Sequence, residues 1–295
     1  MTFLKRIWIN KRPILQKALK YEGFLFTLWG CISLFNPLEG FPNASWFCNL
    51  LLGCSVALLV FLMCAIYATI RCLLSKTECI LHSNSGRDVY VQYGDILKPE
   101  TIVGKSNDRI NIVIPVNRCF DTIVDDNLIS HTTLHGKILQ KIYDSGLYTQ
   151  KTLNEEIKKS LTNYPVEEEL TKEEKPCGNL RRYAEGTVAE LKESEKLTYF
   201  FWGLSKFDHM LKASTTKTEY ATAIQKLIEF CNSRSQGYPV IMPVIGSGLS
   251  RTNVKKEDIL RYLKSAFTLN RDIINCDFHI VVREEDKNSL SIKSL

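Results

Sequence analysis

The sequence predicts an α/β protein in which an N-terminal two-helix transmembrane hairpin precedes a three-layer α/β/α domain. Three observations carry that expectation. Residues 46–70, "WFCNLLLGCSVALLVFLMCAIYATI", hold no charged side chain. Six basic residues and no acid precede Glu22. From position 77 onward, short β-branched runs alternate with segments of helical apolar spacing.

About 20 apolar residues span a bilayer, so residues 46–70 form one expected span. Residues 24–35, "FLFTLWGCISLF", extend to about 22–38 and form the other. The connecting "NPLEGFPNAS" has two prolines, one acid and no base, whereas Arg71 and Lys76 follow the second span. Basic residues thus flank both outer ends of the 22–71 region. The positive-inside rule then places both termini, and the domain, in the cytoplasm. Of 38 basic residues, six lie in the leader, 1–21, and the remaining 32 match the 32 acids, so the whole net charge of +6 belongs to the leader. A nucleic-acid binder would carry its excess on the globular part, so no nucleic-acid partner is expected. A polybasic segment beside an apolar run instead suits an anionic membrane face.

The domain, 77–295, reads in chain order. "ECILH", "DVYVQYGDIL" and "INIVIPVN" are strands bounded by turn residues. "TTLHGKILQKIYD" has Leu134, Ile138 and Ile142 on one helical face, with Thr132 or Thr133 placed to cap it. "KLTYFFWGLSKFD" is a strand, "KTEYATAIQKLIEFCNSR" a helix and "YPVIMPVI" a strand. A helix from about 255 to 268 and the strand "DFHIVVRE" close the chain. Residues 145–179, with "EEIKK", "EEEL" and "KEEK", are expected to be a charged, solvated insertion over the domain.

Four of the ten cysteines, Cys31, Cys48, Cys54 and Cys64, fall in the apolar segments and act as small hydrophobes. No CxxC pair occurs, and the other thiols suit a reducing compartment. His131 and His135 stand four apart but lack a third ligand at a suitable spacing, so no metal is expected.

Loops at the carboxyl ends of strands are where open α/β sheets bind ligands. "PVIGSGLS" is such a loop: Gly246 and Gly248 allow close backbone approach to a phosphate, and the helix after it adds its dipole. It is neither GxGxxG nor a P-loop nor a GxSxG elbow, so a dinucleotide fold and a serine hydrolase are unsupported.

Taken together, "GDI" at 94–96, Asn117 ending a buried strand, the loop 130–136 leading into a helix, and "PVIGSG" at 243–248 resemble the macro domain, the ADP-ribose-binding module. The resemblance runs from about residue 78 to the C-terminus, apart from the charged insertion. It implies that Asp95 accepts from the adenine amino group, that Ile96 supplies the adjacent backbone contact, and that Asn117 faces the distal ribose. Gly246, Ser247, Gly248 and Leu249 would wrap the diphosphate. Hydrolytic macro domains usually have a second Asn and a glycine run before the helix. Here Cys119, Phe120 and Asp121 follow Asn117, and "SHTTLHG" replaces the glycines. A binding module rather than an enzyme is therefore expected, reading something larger than plain ADP-ribose. Phe120, Ser130, Thr132, Leu134 and Gly136 join the ligand-facing set, with Asp121, Asp126 and His135 toward the extra group.

A membrane hairpin joined to a divergent macro domain resembles the transmembrane–macro effectors of Thoeris antiphage systems, with "NRCFDT" and "PVIGSGLSRTN" as local matches. That resemblance implies an inner-membrane protein. Its signal, an ADP-ribose derivative conjugated to histidine, would be made from NAD by a TIR-domain partner. Self-association and membrane damage would follow binding, and no cofactor is implied. The competing expectations are a membrane-anchored ADP-ribosyl hydrolase and a passive tether.

Overall fold

The computed structural model describes residues 2–35, 46–104, 109–245 and 254–294. The chain forms two compact units, one of residues 1–76 with 285–294, the other of residues 77–284.

In the first unit, a short helix α1 (Thr2–Ile9) precedes α2 (Lys11–Phe35) and α3 (Trp46–Leu74). The basic leader and the first apolar segment are thus not separate. Helix α2 runs through both, with Lys11, Arg12, Lys17 and Lys20 in its first half. Among the described residues, α3 is the one helix long and apolar enough to cross a membrane. The end of the first expected span, 36–38, lies outside the described residues. Ile14 and Ala18 of α2 pack with Cys64, Ala68 and Cys72 of α3, and the Tyr21 and Tyr67 rings meet edge-on at 5.4 Å. Residues 285–294, expected in the second unit, belong to this one. Leu290 and Ile292 are buried, and Ser291 donates to Asn10 Oδ1 at 2.6 Å, with both of those residues buried.

In the second unit, β1 (Thr77–His82), β2 (Asp88–Gly94) and β3 (Ile110–Asn117) lead to α4 (Leu134–Asp144). Helix α5 (Gln150–Ser160) and β4 (Val166–Glu169) follow, then β5 (Arg181–Tyr183), β6 (Val188–Ser194), β7 (Leu197–Phe207) and β8 (Ala213–Ser214). Helix α6 (Lys217–Arg234), β9 (Val240–Pro243), α7 (Lys256–Leu269) and β10 (Phe278–Arg283) complete it. The main sheet has the order β1-β2-β10-β9-β3-β7-β6, with β8 on β7. Strands β2, β10, β9, β3 and β7 are mutually parallel, and antiparallel β1 and β6 close the edges.

Period-two alternation feeds both faces of the sheet. Ile112, Ile114, Tyr199 and Phe201 share a core with Ile138 and Ile142 of α4. On the other face Phe200 meets Phe230 at 5.1 Å, and Trp202 donates to the Ala223 carbonyl of α6. Three layers result, as expected.

The interval 145–179 departs from the expectation of a solvated insertion. Leu153 and Ile157, four apart on α5, enter the same core as β3 and α4, while Lys151, Glu155, Glu156, Lys158 and Lys159 stay exposed. A high charge count hides an amphipathic helix when one narrow apolar stripe suffices. Arg118, 1% exposed, anchors the remainder: Nε donates to the Tyr183 carbonyl, and the guanidinium meets Glu167, Glu219 and Glu185.

Candidate functional site

Parallel pairing puts the carboxyl ends of β2, β9 and β3 at one end of the sheet, and the sequence motifs follow those ends. Asp95 is exposed just past β2, where its Oδ1 accepts from the Leu97 N–H at 3.0 Å. Ile96 turns into the core, 7% exposed, which leaves its backbone for any contact. After β9, Val244 N donates to the Val281 carbonyl at 3.0 Å and carries the chain to Ile245. Gly246, Ser247, Gly248 and Leu249 lie outside the described residues. Where description resumes, α7 begins at Lys256 with no side-chain cap on its N-terminus.

Asn117 ends β3 and is buried. Its Oδ1 accepts from the Cys119 N–H at 3.0 Å, and its backbone carbonyl accepts from Phe120 N at 2.9 Å. This turn holds Phe120 at φ 52, left-handed backbone that an aromatic residue rarely adopts. The Phe120 ring goes into the core, edge-on to Tyr183 at 5.7 Å and close over Gly203, where a Cβ would meet Phe120 Cζ at 3.0 Å. Phe120 therefore shapes the turn, and its ring lies among buried residues.

Asp121 was expected to reach the distal group, and the structure gives its carboxylate another task. It is 1% exposed, and Lys175, fully buried, places its ammonium 2.9 Å from Oδ2 and donates to Oδ1 at 3.1 Å. Asn179 N also donates to Oδ1 at 2.6 Å. Burial pushes the Asp121 carboxyl up, opposed by Lys175 and by the bond from Asn179. The ammonium is completed by the carbonyls of Cys177 and Asn179 at 2.7 and 2.8 Å. Gly178 permits this wrap: its φ is +83, and a Cβ there would lie 2.3 Å from Asp121 Oδ1.

The loop 130–136 folds onto the start of α4. Thr133 is the N-cap and accepts from Gly136 N at 3.0 Å, and the Ser130 carbonyl accepts from Thr133 N and Oγ1 at 3.1 and 2.7 Å. Ser130 and Thr132 share a hydroxyl contact of 2.9 Å, Thr132 being exposed and Leu134 half-buried against the core. Asp126 pairs with exposed His131 at 2.6 Å. His135, 8% exposed, lies under the loop near Phe201, and burial lowers its pKa to about 3, so its ring is neutral.

Sequence reasoning missed Lys175, Asn179 and the start of α5. Asn179 and the start of α5, through Thr149, Gln150, Lys151 and Asn154, line a cleft of about 540 Å³ with Asp121, Thr122 and Gly178, and Lys175 lies buried behind Asp121. The only signal was Gly178-Asn179 breaking a charged run.

The sequence model for the macro domain of the Thoeris protein ThsA matches residues 89–283. The chain belongs to that family. A Thoeris protein ThsA from Bacillus amyloliquefaciens (strain Y2) is 28% identical over 191 residues, which cover 63% of this chain and 59% of that protein. The chain thus matches a little over half the length of that relative. Among solved structures, the macrodomain of Mycobacterium tuberculosis DarG is similar at 13% identity and a TM-score of 0.39, over 65% of this chain and 96% of that one. A macrodomain of Oceanobacillus iheyensis is similar at 10% identity and a TM-score of 0.43, over 73% and 93%. At those scores the likeness adds nothing to the ThsA macro-domain assignment, which rests on the sequence match. In this chain the Asn117–Asp121–Lys175 cluster stands at the end of β3, and the loop 130–136 leads from it into α4.

Proposed function

We propose that this ThsA-type macro domain binds an ADP-ribose-derived signal without turning it over, and that the helical unit is the membrane-acting output of an antiphage effector. The observation that carries the reading is that β2, β3 and β9, which the motif residues follow in sequence, end together at the carboxyl end of five parallel strands, in a chain of this family. Asp95 and Ile96 read the base, the residues at 246–249 hold the diphosphate, and Asn117 with the loop 130–136 faces the distal ribose and its substituent. A histidine conjugate of ADP-ribose, made from NAD by a TIR-domain partner, is the proposed signal. Two observations support binding over hydrolysis: the Asn117 side-chain oxygen is engaged by the Cys119 N–H, and "SHTTLHG" stands in place of a glycine run. In the output unit α3 crosses the inner membrane, the apolar half of α2 crosses beside it, and both termini face the cytoplasm. Binding drives hairpins together and breaches the membrane.

Calorimetry on full-length protein in detergent tests the site. Gly248→Glu sets a charge and a side chain where the diphosphate must approach, so it should abolish binding of the histidine conjugate, as should Asp95→Ala, while both proteins stay folded. Unchanged affinity in a folded Gly248→Glu protein refutes the phosphate loop. Release of ADP-ribose from modified protein, lost on changing Asn117, replaces binding with hydrolysis.

A further inference from the structure

The outer hairpin of the sheet carries a second constellation, at the ends of β1 and β2 opposite to Asp95. On a regular strand Cys79 and His82, three residues apart, would point to opposite faces. The β1–β2 register slips between Cys79 and Leu81, and the extra residue brings the two side chains onto one face. Cys79 Sγ lies 3.7 Å from His82 Nδ1 and 3.8 Å from Nε2. Across the ladder, the register partner of His82 is Asp88, with Oδ1 2.7 Å from Nδ1. The donor atoms of all three residues lie within 4.8 Å of one another.

The carboxylate has outer support. Tyr90, the register partner of Cys79, donates its hydroxyl to Asp88 Oδ2 at 2.7 Å and is stacked on His279 at 5.2 Å. Asp88 N is held in turn by Asp277 Oδ1 at 2.9 Å. Metal-ligating carboxylates are commonly oriented by such partners.

We propose that Cys79, His82 and Asp88 form a three-residue site for a zinc-class divalent cation, with water in the remaining position. The donor set selects the metal class: a thiolate and an imidazole exclude the oxygen-seeking calcium and magnesium and suit a borderline-soft tetrahedral ion. Bonds of about 2.3 Å to sulfur and 2.0–2.1 Å to nitrogen set tetrahedral ligands roughly 3.5 Å apart, near the 3.7 Å between Cys79 Sγ and His82 Nδ1, whereas the 2.7 Å between His82 and Asp88 must open. On binding, the metal–sulfur bond forms, the Cys79 S–H bond breaks and its proton passes to water. The carboxylate then turns from Nδ1 toward the ion. The same trio resembles a thiol with its base and orienting acid. Desolvation, with the nearby charges of Asp88 and Glu78, pushes the Cys79 thiol up, however, which opposes a free nucleophile. A bound ion would staple the antiparallel edge strand of the sheet.

Cobalt titration of metal-free, full-length protein in detergent tests this. One equivalent should give a thiolate-to-cobalt charge-transfer band with the visible absorption of a tetrahedral ion, and zinc should bleach both. Cys79→Ser should lose the band, and His82→Ala, at an exposed position, should weaken cobalt binding roughly tenfold or more. Both variants should unfold in metal-free buffer as the parent does. No charge-transfer band in the parent, or the same band in Cys79→Ser, overturns the site. So does rapid alkylation of Cys79 that zinc fails to slow, which would favour the nucleophile.

Discussion

Lys175 and Asp121 show what one buried pair does to a loop. The ammonium and carboxylate are 0% and 1% exposed, so removing one leaves the other charged in a low-dielectric interior. Lys175→Met should therefore cost about 3–5 kcal/mol, while Lys175→Met with Asp121→Asn should recover much of that loss. Urea unfolding of the parent, both single variants and the double variant closes the cycle, and additive losses would mean the pair is uncoupled. His135 sets a pH dependence at the same scale. Its folded pKa is about 3 against 6.5 for the free side chain, so between those values the unfolded chain binds the extra proton. Its contribution is fully present above 6.5 and is lost progressively as pH falls toward 3, with a slope of up to about 1.4 kcal/mol per unit. Burial lowers the pKa of His279 as well, so both act in the same direction. His135→Asn should flatten the profile between about pH 7 and pH 5 in denaturant titrations, and a parallel profile would show that the ring is not the cause.

Helix α4 shows how an element presents its loop. Alanine favours helix over glycine by about 1 kcal/mol, yet a Cβ on Gly136 would stand 2.2 Å from the Ser130 carbonyl oxygen. The clash wins, because that carbonyl also holds the Thr133 cap. Gly136→Ala should destabilise by roughly 1–3 kcal/mol and weaken signal binding together, read by urea unfolding and calorimetry; a gain in stability would show that the loop yields freely. Helix α5 buries Leu153 and Ile157, with the Thr149 capping box fixing its start. Its charges made it read as solvent-facing sequence. Helix α3, with 29 residues, is about 43 Å long at 1.5 Å per residue, more than a hydrocarbon core of about 30 Å needs. The excess at its C-terminal end runs beside the basic half of α2, where Tyr21 meets Tyr67.

At the scale of the whole chain, the two units are joined twice, after Lys76 and after Glu284. Thr77 pairs with Gln92 and Arg283 with Gly94, so within the sheet both connections start next to the last residues of β2. Signal can shift assembly only through its differential affinity for the assembled form, so binding and assembly must strengthen each other. Anchoring in a membrane raises the effective concentration of domains and lets weak contacts suffice. Full-length protein should move to larger species when the histidine conjugate is added, and a chain lacking residues 1–70 should bind it without killing cells. A single size across a saturating titration, or toxicity of the truncated chain, rejects the coupling.

The sequence by itself determined the elements with strong local signals: the charge-free helix at 46–70, the strands "DVYVQYG" and "INIVIPVN", the helix capped by Thr132 or Thr133, of which the structure chose Thr133, and the order of motifs that marks the macro family. Each rests on periodicity, caps or turn residues, which act over a few neighbours. Tertiary structure alone decided the rest. Lys175 and Asp121 are 54 positions apart and meet only when the insertion folds back on β3. Phe120 goes inward because Gly203 on a neighbouring strand leaves room for its ring. Cys79 and His82 share a face only because the ladder slips by one residue. Residues 285–294 belong with the helices because Ser291 finds Asn10 across 281 positions. Local sequence encodes which backbone conformation is cheap, whereas burial and ion pairing depend on which distant segment fills the space opposite.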